Sequence, residues 1–219
     1  MDYSCKDIAK MIDHSLLRPE LTDQDIEVGC EIAKKYQVAA VCCRPSDVSR
    51  VKELLQGSGV KVDAVVGFPH GSHKTKTKVF EAEEAIKDGA TELDMVLNIS
   101  KLKDGKYDEV RQEMEAIKKD AGKRVVKVIL ETCLLSDAEI VKACELAVEA
   151  GLDFVKTSTG FSTGGATVED VKLMKQTVGD KAEVKASGGI RDRKTMLAMI
   201  DAGATRIGAS AGIKLIENE

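Results

Sequence analysis

Phe154-Val155-Lys156-Thr157-Ser158-Thr159-Gly160 sets a lysine inside a short apolar stretch that runs into hydroxyl residues and a glycine turn. Apolar runs of this length bounded by turn residues read as buried strands. Val126-Lys127-Val128 and Val184-Lys185-Ala186 repeat the pattern, each with its lysine 29 residues from Lys156. An interval of that size holds one strand, one helix and their loops, so the three segments read as equivalent positions on strands five, six and seven of a βα array. If the shared face points inward, three amines converge on one space.

The rest of the chain continues the array. Residues 2–10 read as a short leading helix and 11–15 as the first strand. A helix follows over 21–36, with Thr22 as N-cap and Asp25 three residues on, an approximate capping box. Strand two is expected over 38–43, then a helix opened by Pro45 and running to about residue 55. Strand three spans 60–68, a helix 75–88, strand four 92–97, a helix 107–119 and strand five 124–130. Ser136 starts the next helix, strand six covers 152–157, and a helix covers 168–178. Strand seven spans 182–186, a helix 191–201 and strand eight 205–208, with a last helix ending the chain. Gly89, Gly151 and Gly203 each stand where a helix ends just before a strand, the position that favours a left-handed residue. Eight strands alternating with helices give a parallel sheet. In 219 residues they fit one (β/α)8 barrel over 1–219, preceded by a short N-terminal helix, better than the alternative, an open doubly wound sheet.

Composition narrows the partners. Apolar residues make up 43%, enough for a sizeable core, while aromatics are only 3% and net charge is −4 with scattered Lys and Arg. That argues against nucleic acid. No apolar run approaches the roughly 18 residues of a membrane span. The first residues show no signal-peptide pattern, so a cytoplasmic protein is expected. The six cysteines form no CxxC pair and lie mostly in apolar stretches, which reads as reduced thiols. His70 and His73 make an HxxH pair without a supporting carboxylate pattern, so neither a metal nor any other cofactor is expected.

Crowded amines carry chemistry. Two unit charges about 5 Å apart at an effective dielectric near 20 repel by ~3 kcal/mol. Burial and such repulsion both lower a lysine's pKa, and a neutral lysine attacks carbonyls to form an imine. Lys156 is the candidate nucleophile and Lys185 and Lys127 its neighbours; the alternative is that all three face the helices or solvent. Asp94, mid-strand, requires a cationic partner, with Lys127 and Lys156 the candidates. It reads either as a proton shuttle through water or as half of a structural ion pair. Asp13 and Ser15 end the first strand, suited to hydroxyl recognition or to capping a turn. Cys42 and Cys43 end the second, suited to lining a site or to packing. Gly188 and Gly189 follow strand seven, and Gly208 and Ser210 close strand eight. In barrels, a phosphate is commonly held at these two ends by backbone N–H groups; Gly160 and the loop 162–165 stand ready to close over it. Simple turns are the other explanation of those glycines.

These residues resemble the deoxyribose-phosphate aldolase family, class I aldolases on a TIM barrel. The likeness runs over essentially the whole chain. It is carried by Asp13-His14-Ser15-Leu16-Leu17, Glu92-Leu93-Asp94-Met95-Val96-Leu97-Asn98, Phe154 to Phe161 and Val184 to Arg191. The resemblance implies reversible cleavage of 2-deoxy-D-ribose 5-phosphate to D-glyceraldehyde 3-phosphate and acetaldehyde, without cofactor. It implies Lys156 as Schiff-base lysine, Lys185 as its pKa-depressing and proton-transferring neighbour, and Asp94 as proton donor and acceptor through water, with Lys127 close by. Asp13, Ser15 and Cys42 would line the substrate's hydroxyl region; Gly160, Gly188, Gly189, Gly208 and Ser210 would hold the phosphate. Barrels of the family often pair, so a homodimer is the implied assembly, although no interface stripe stands out in the sequence. Two features depart from some members: Phe161 stands where they have a lysine, and the chain stops at Glu219 without a longer tail ending in tyrosine. Another Schiff-base barrel enzyme with a longer donor, or a non-catalytic phosphosugar-binding barrel, are the rival readings.

Overall fold

Hydrogen bonding between the first and last strands decides the architecture. Ile12, Asp13 and His14 pair in parallel with Ile207, Gly208 and Ala209, which closes the sheet. The computed structural model describes residues 3–210 and 216. Its strands are β1 Ile12–Leu16, β2 Ala40–Cys43, β3 Lys61–Val66, β4 Glu92–Val96, β5 Val125–Ile129, β6 Phe154–Lys156, β7 Glu183–Ser187 and β8 Arg206–Ala209. They form a closed barrel in chain order, every neighbour parallel. An open doubly wound sheet is thereby excluded.

The helices between them are α1 Cys5–Ala9, α2 Asp23–Tyr36, α3 Val48–Leu54, α4 Thr75–Asp88, α5 Ile99–Lys103, α6 Tyr107–Ala121, α7 Asp137–Glu149, α8 Val168–Val178 and α9 Arg193–Asp201. Helices α4 and α8 fall on the expected residues. Thr22 and Ser136 both cap as expected, each with a full capping box. The leading helix is shorter than expected because Ser4 caps it. α9 starts at Arg193 because the Asp192 side chain caps Thr195 N–H. The last expected helix lies outside the described residues apart from Ile216. Among the described residues no helix is long and apolar enough to cross a membrane.

Side-chain alternation sorts the strands into two chemistries. One set, including Val41, Val62, Leu93, Met95, Val126, Val128, Val155, Val184 and Ile207, packs fully buried against the helices. The other set points into the barrel, and there the charges sit. An ordinary barrel of this kind fills its interior with apolar layers; this one fills much of it with ions.

Candidate active site

The register places the lysines. Lys156 pairs directly with Lys185, so their side chains leave neighbouring strands on the same side. Lys127 pairs with Phe154, and Ile129 is the partner of Lys156. The three lysines are therefore not at one level: Lys127 sits two residues nearer the start of its strand. Asp94 lies opposite Lys127 across the β4–β5 pair.

Asp94 joins all three amines. Lys156 Nζ and Lys185 Nζ each donate to Asp94 Oδ2 at 2.7 Å, and Lys127 Nζ lies 2.9 Å from Asp94 Oδ1. Burial alone would raise this carboxyl, but Lys127, Lys156 and Lys185 hold it well below the usual carboxylate range. The amines differ in how many carboxylates they touch. Lys127 also meets Glu92 at 2.7 Å and Asp63 at 3.1 Å. Lys185 also meets Asp13 at 2.5 Å and Asp63 at 3.2 Å. Burial works against the charge on both, yet these acids outweigh it and hold Lys127 and Lys185 above the ordinary lysine range. Both rest as ammonium ions. Lys156 meets Asp94 alone among the carboxylates of the centre, and shares it.

Two groups of potential ligand atoms, Cys42–Asp63–Asp94 and Asp13–Asp63–Glu92, come within 4.8 Å. Lysine ammonium groups already occupy the space among those acids. Burial and the nearby Asp63 and Asp94 push the Cys42 thiol far up, so it stays protonated. His70 and His73 are exposed in the loop after β3.

Above the ion cluster a cavity of about 390 Å³ opens at the C-terminal ends of β6, β7 and β8. Pockets for small ligands begin near this volume. Of the three lysines, Lys156 lines it. Lys156 is 2% exposed, whereas Lys127 and Lys185 are at 0%. The five expected phosphate residues, Gly160, Gly188, Gly189, Gly208 and Ser210, all line the same cavity, as does Ser15. Asp13, Cys42 and Lys127, also expected at the substrate, lie beneath it at 0% exposure.

The glycines there answer to space and backbone. Gly188 has φ +85, and a Cβ on it would meet Gly165 Cα at 3.0 Å. A Cβ on Gly208 would meet Ser187 Cβ at 2.9 Å and Lys185 Cε at 3.3 Å, so this glycine makes room for the buried lysine. The walls are cross-tied. Thr157 Oγ1 donates to Ser187 O at 2.9 Å, and Ser187 Oγ donates to Ser158 O at 2.6 Å.

Sequence reasoning missed several members. Asp63, Glu92 and Arg206 complete the ion cluster; Arg206 donates to Asp13 at 2.7 Å and Glu92 at 3.2 Å. Asp63 and Glu92 had a signal in the sequence, acids at alternate positions of otherwise apolar strands. Arg18 and Arg191 line the same cavity beside the glycines. Buried Glu131 accepts from Thr159 N–H at 3.2 Å and from the Thr159 hydroxyl, fixing the turn that presents Gly160. Phe161 stacks edge-on against Phe68, ring centroids 5.3 Å apart, at the cavity's rim.

A closed parallel barrel with a lysine lining a cavity at its C-terminal face, above a bed of paired ions, is the architecture of a barrel enzyme. More narrowly, the chain belongs to the DeoC/LacD family of aldolases, whose sequence profile matches residues 8–216. It is 59% identical over 219 residues to the deoxyribose-phosphate aldolase of Caldanaerobacter subterraneus subsp. tengcongensis, covering 99% of this chain and 95% of that one. It is 57% identical over 212 residues to that of Clostridium tetani, covering 96% and 98%. Its fold superposes on the tetrameric deoxyribose phosphate aldolase structure from Aeropyrum pernix with a TM-score of 0.92 at 34% identity, covering 98% of this chain and 91% of that one.

Proposed function

We propose that the protein is a class I aldolase that reversibly cleaves 2-deoxy-D-ribose 5-phosphate to D-glyceraldehyde 3-phosphate and acetaldehyde. One observation carries the assignment of the nucleophile: Lys156 alone of the three clustered lysines faces the cavity, and it is the one not locked by several carboxylates. The neutral amine of Lys156 attacks the C1 aldehyde, and loss of water gives the imine. Its protonated form withdraws electrons from the C2–C3 bond. Asp94, through water, accepts the C3 hydroxyl proton, the bond breaks, and glyceraldehyde phosphate leaves. The remaining enamine is protonated at carbon and hydrolysed to acetaldehyde. Lys185 keeps Asp94 ionised and passes protons across it at 2.7 Å.

Ser15 meets the sugar hydroxyls, with Asp13, Cys42 and Lys127 supporting that region from below. The phosphate sits on the backbone of Gly160, Gly188, Gly189, Gly208 and Ser210, with Arg18 and Arg191 supplying positive charge beside it. The reading includes self-association, at least as a homodimer, and a cytoplasmic location where phosphorylated sugars are retained. Light scattering that gives only a monomer contradicts the assembly.

The test is product release. Incubation with deoxyribose phosphate is expected to yield acetaldehyde and glyceraldehyde phosphate in equal amounts, and in the reverse direction acetaldehyde outcompetes dihydroxyacetone as donor. Preference for dihydroxyacetone would move the protein to another aldolase activity. Binding without cleavage would make it a phosphosugar-binding barrel.

A further inference from the structure

The charges inside the barrel balance only in one protonation state of Lys156. Asp13, Asp63, Glu92 and Asp94 supply four negative charges; Lys127, Lys156, Lys185 and Arg206 supply four positive ones. Cys42, the remaining titratable group facing this space from β2, stays a neutral thiol. A Lys156 that has lost its proton to become a nucleophile leaves the closed interior with one negative charge too many. Uncompensated buried charge is unfavourable, so a second group must hold that proton.

We propose that Asp63 takes up the proton Lys156 loses before attack and returns it when the imine forms. The proposal rests on the reading of Lys156 as the amine nucleophile. Asp63 is the acid with room for a proton. Its Oδ1 has no hydrogen-bond partner, as is also true of Asp13 Oδ2 and Asp94 Oδ1. Those two oxygens, however, lie 2.5 Å and 2.9 Å from an ammonium, whereas the closest contacts of Asp63 to Lys127 and Lys185 both run through Oδ2. The other acids are held more closely: Asp94 by three ammonium groups through both oxygens, Asp13 by Lys185 and Arg206 through one oxygen each, and Glu92 by Lys127 at 2.7 Å and Arg206. The environments separate the two buried aspartates accordingly. Burial and the Asp94 charge push Asp63 up to about 6. Asp13, despite burial, is held at about 2 by Lys185, Lys127 and Arg206.

A continuous path connects the two ends. Lys156 Nζ contacts Asp94 Oδ2 at 2.7 Å, Lys185 Nζ contacts the same oxygen at 2.7 Å, and Lys185 Nζ reaches Asp63 Oδ2 at 3.2 Å. Lys185 gives a proton to Asp63 and regains one from Lys156 across Asp94. One N–H bond breaks at Lys156 and one O–H bond forms at Asp63. Lys185 ends as ammonium and Asp94 as carboxylate, so no co-reactant is needed. The reverse transfer protonates the imine nitrogen, which needs that charge to act as an electron sink. Asp63 works through Lys185 and Asp94, so it is a positioning residue for the proton and never touches substrate.

Asp63→Asn fixes position 63 in a neutral state resembling the protonated acid. In that variant the pH midpoint for borohydride trapping of substrate on Lys156 is expected to move down by at least one pH unit, making trapping at pH 6 about tenfold faster. Trapping with an unmoved or raised midpoint overturns the proposal alone. Absence of trapping on Lys156 in the unsubstituted protein overturns the Schiff-base reading and the proposal with it. A second measurement needs no turnover. Lys156→Met leaves the interior short of one positive charge, so its infrared spectrum at neutral pH is expected to show a protonated-carboxyl band that disappears when Asp63→Asn is added. No such band, or one that survives the second substitution, overturns the assignment of Asp63.

Discussion

Lys185→Met removes one ammonium from beside Lys156 while nearly preserving side-chain length. Both amines contact Asp94 Oδ2 at 2.7 Å, so their nitrogens lie no farther apart than twice that contact. At about 5 Å and an effective dielectric near 20, two unit charges repel by ~3 kcal/mol. An interaction of that size is a roughly 100-fold effect, since each 1.36 kcal/mol is tenfold. Acetaldehyde release near pH 7 is therefore expected to fall about 100-fold. It should recover in part as the pH is raised by about two units, because alkali replaces the repulsion, but not the proton relay, that Lys185 supplied. The substitution also leaves Asp13, Asp63 and Asp94 one cation short. Breaking such buried pairing costs about 3–5 kcal/mol, so circular dichroism at each pH must accompany the kinetics. Near-normal turnover at pH 7 refutes the reasoning, as does a loss in folded protein that alkaline pH fails to reverse even in part.

Three further outcomes follow from particular contacts. Asp94→Asn removes the charge shared by Lys127, Lys156 and Lys185; urea denaturation is expected to show a loss of about 3–5 kcal/mol, and a loss below about 1 kcal/mol would contradict the ion-cluster account. Gly165→Ala places a Cβ 2.3 Å from Gly188 O, so the turn at 188–189 must shift; KM for the phosphorylated sugar is expected to rise about tenfold, a ~1.4 kcal/mol effect, with unphosphorylated deoxyribose unaffected, and equal changes for both would contradict a phosphate role. His14, buried on the helix side of β1, is held down at about 4 by burial. Below pH 6.5 the unfolded chain takes up this proton and the folded chain does not, so stability falls as pH drops from 6.5 toward 4, by up to about 3 kcal/mol. His14→Gln is expected to flatten that part of the urea-midpoint profile, and an unchanged slope would contradict it.

The order of strands and helices was legible because each boundary carries its own local chemistry. Thr22 and Ser136 cap by side chain, and Gly89, Gly151 and Gly203 take positive φ where helices end. The 29-residue spacing correctly placed Lys156 beside Lys185, but it could not show that Lys127 sits two residues lower, because register depends on how the sheet tilts as it closes. The acids were harder to read. Asp63 meets Lys185 across 122 residues of chain, and Asp13 meets Arg206 across 193. Barrel closure brings such pairs together, and an acid alternating with apolar residues in a strand marks an inward face without showing which cations it meets there. Missing them overstated the repulsion among the amines. Lys127 and Lys185 are compensated by carboxylates, and what singles out Lys156 is its access to the cavity and its one shared acid. The glycines were legible as a group because they cluster at the ends of the last strands, and they line the cavity together; Arg18 and Arg191 were not, since exposed arginines carry no local mark of what they face.

Peptide mapping by mass spectrometry after borohydride reduction in the presence of deoxyribose phosphate asks directly which amine bonds to the sugar. A single adduct on the peptide bearing Lys156, with Lys127 and Lys185 unmodified, is the predicted result. An adduct on either of those two lysines, or none on any lysine of the barrel, would contradict it.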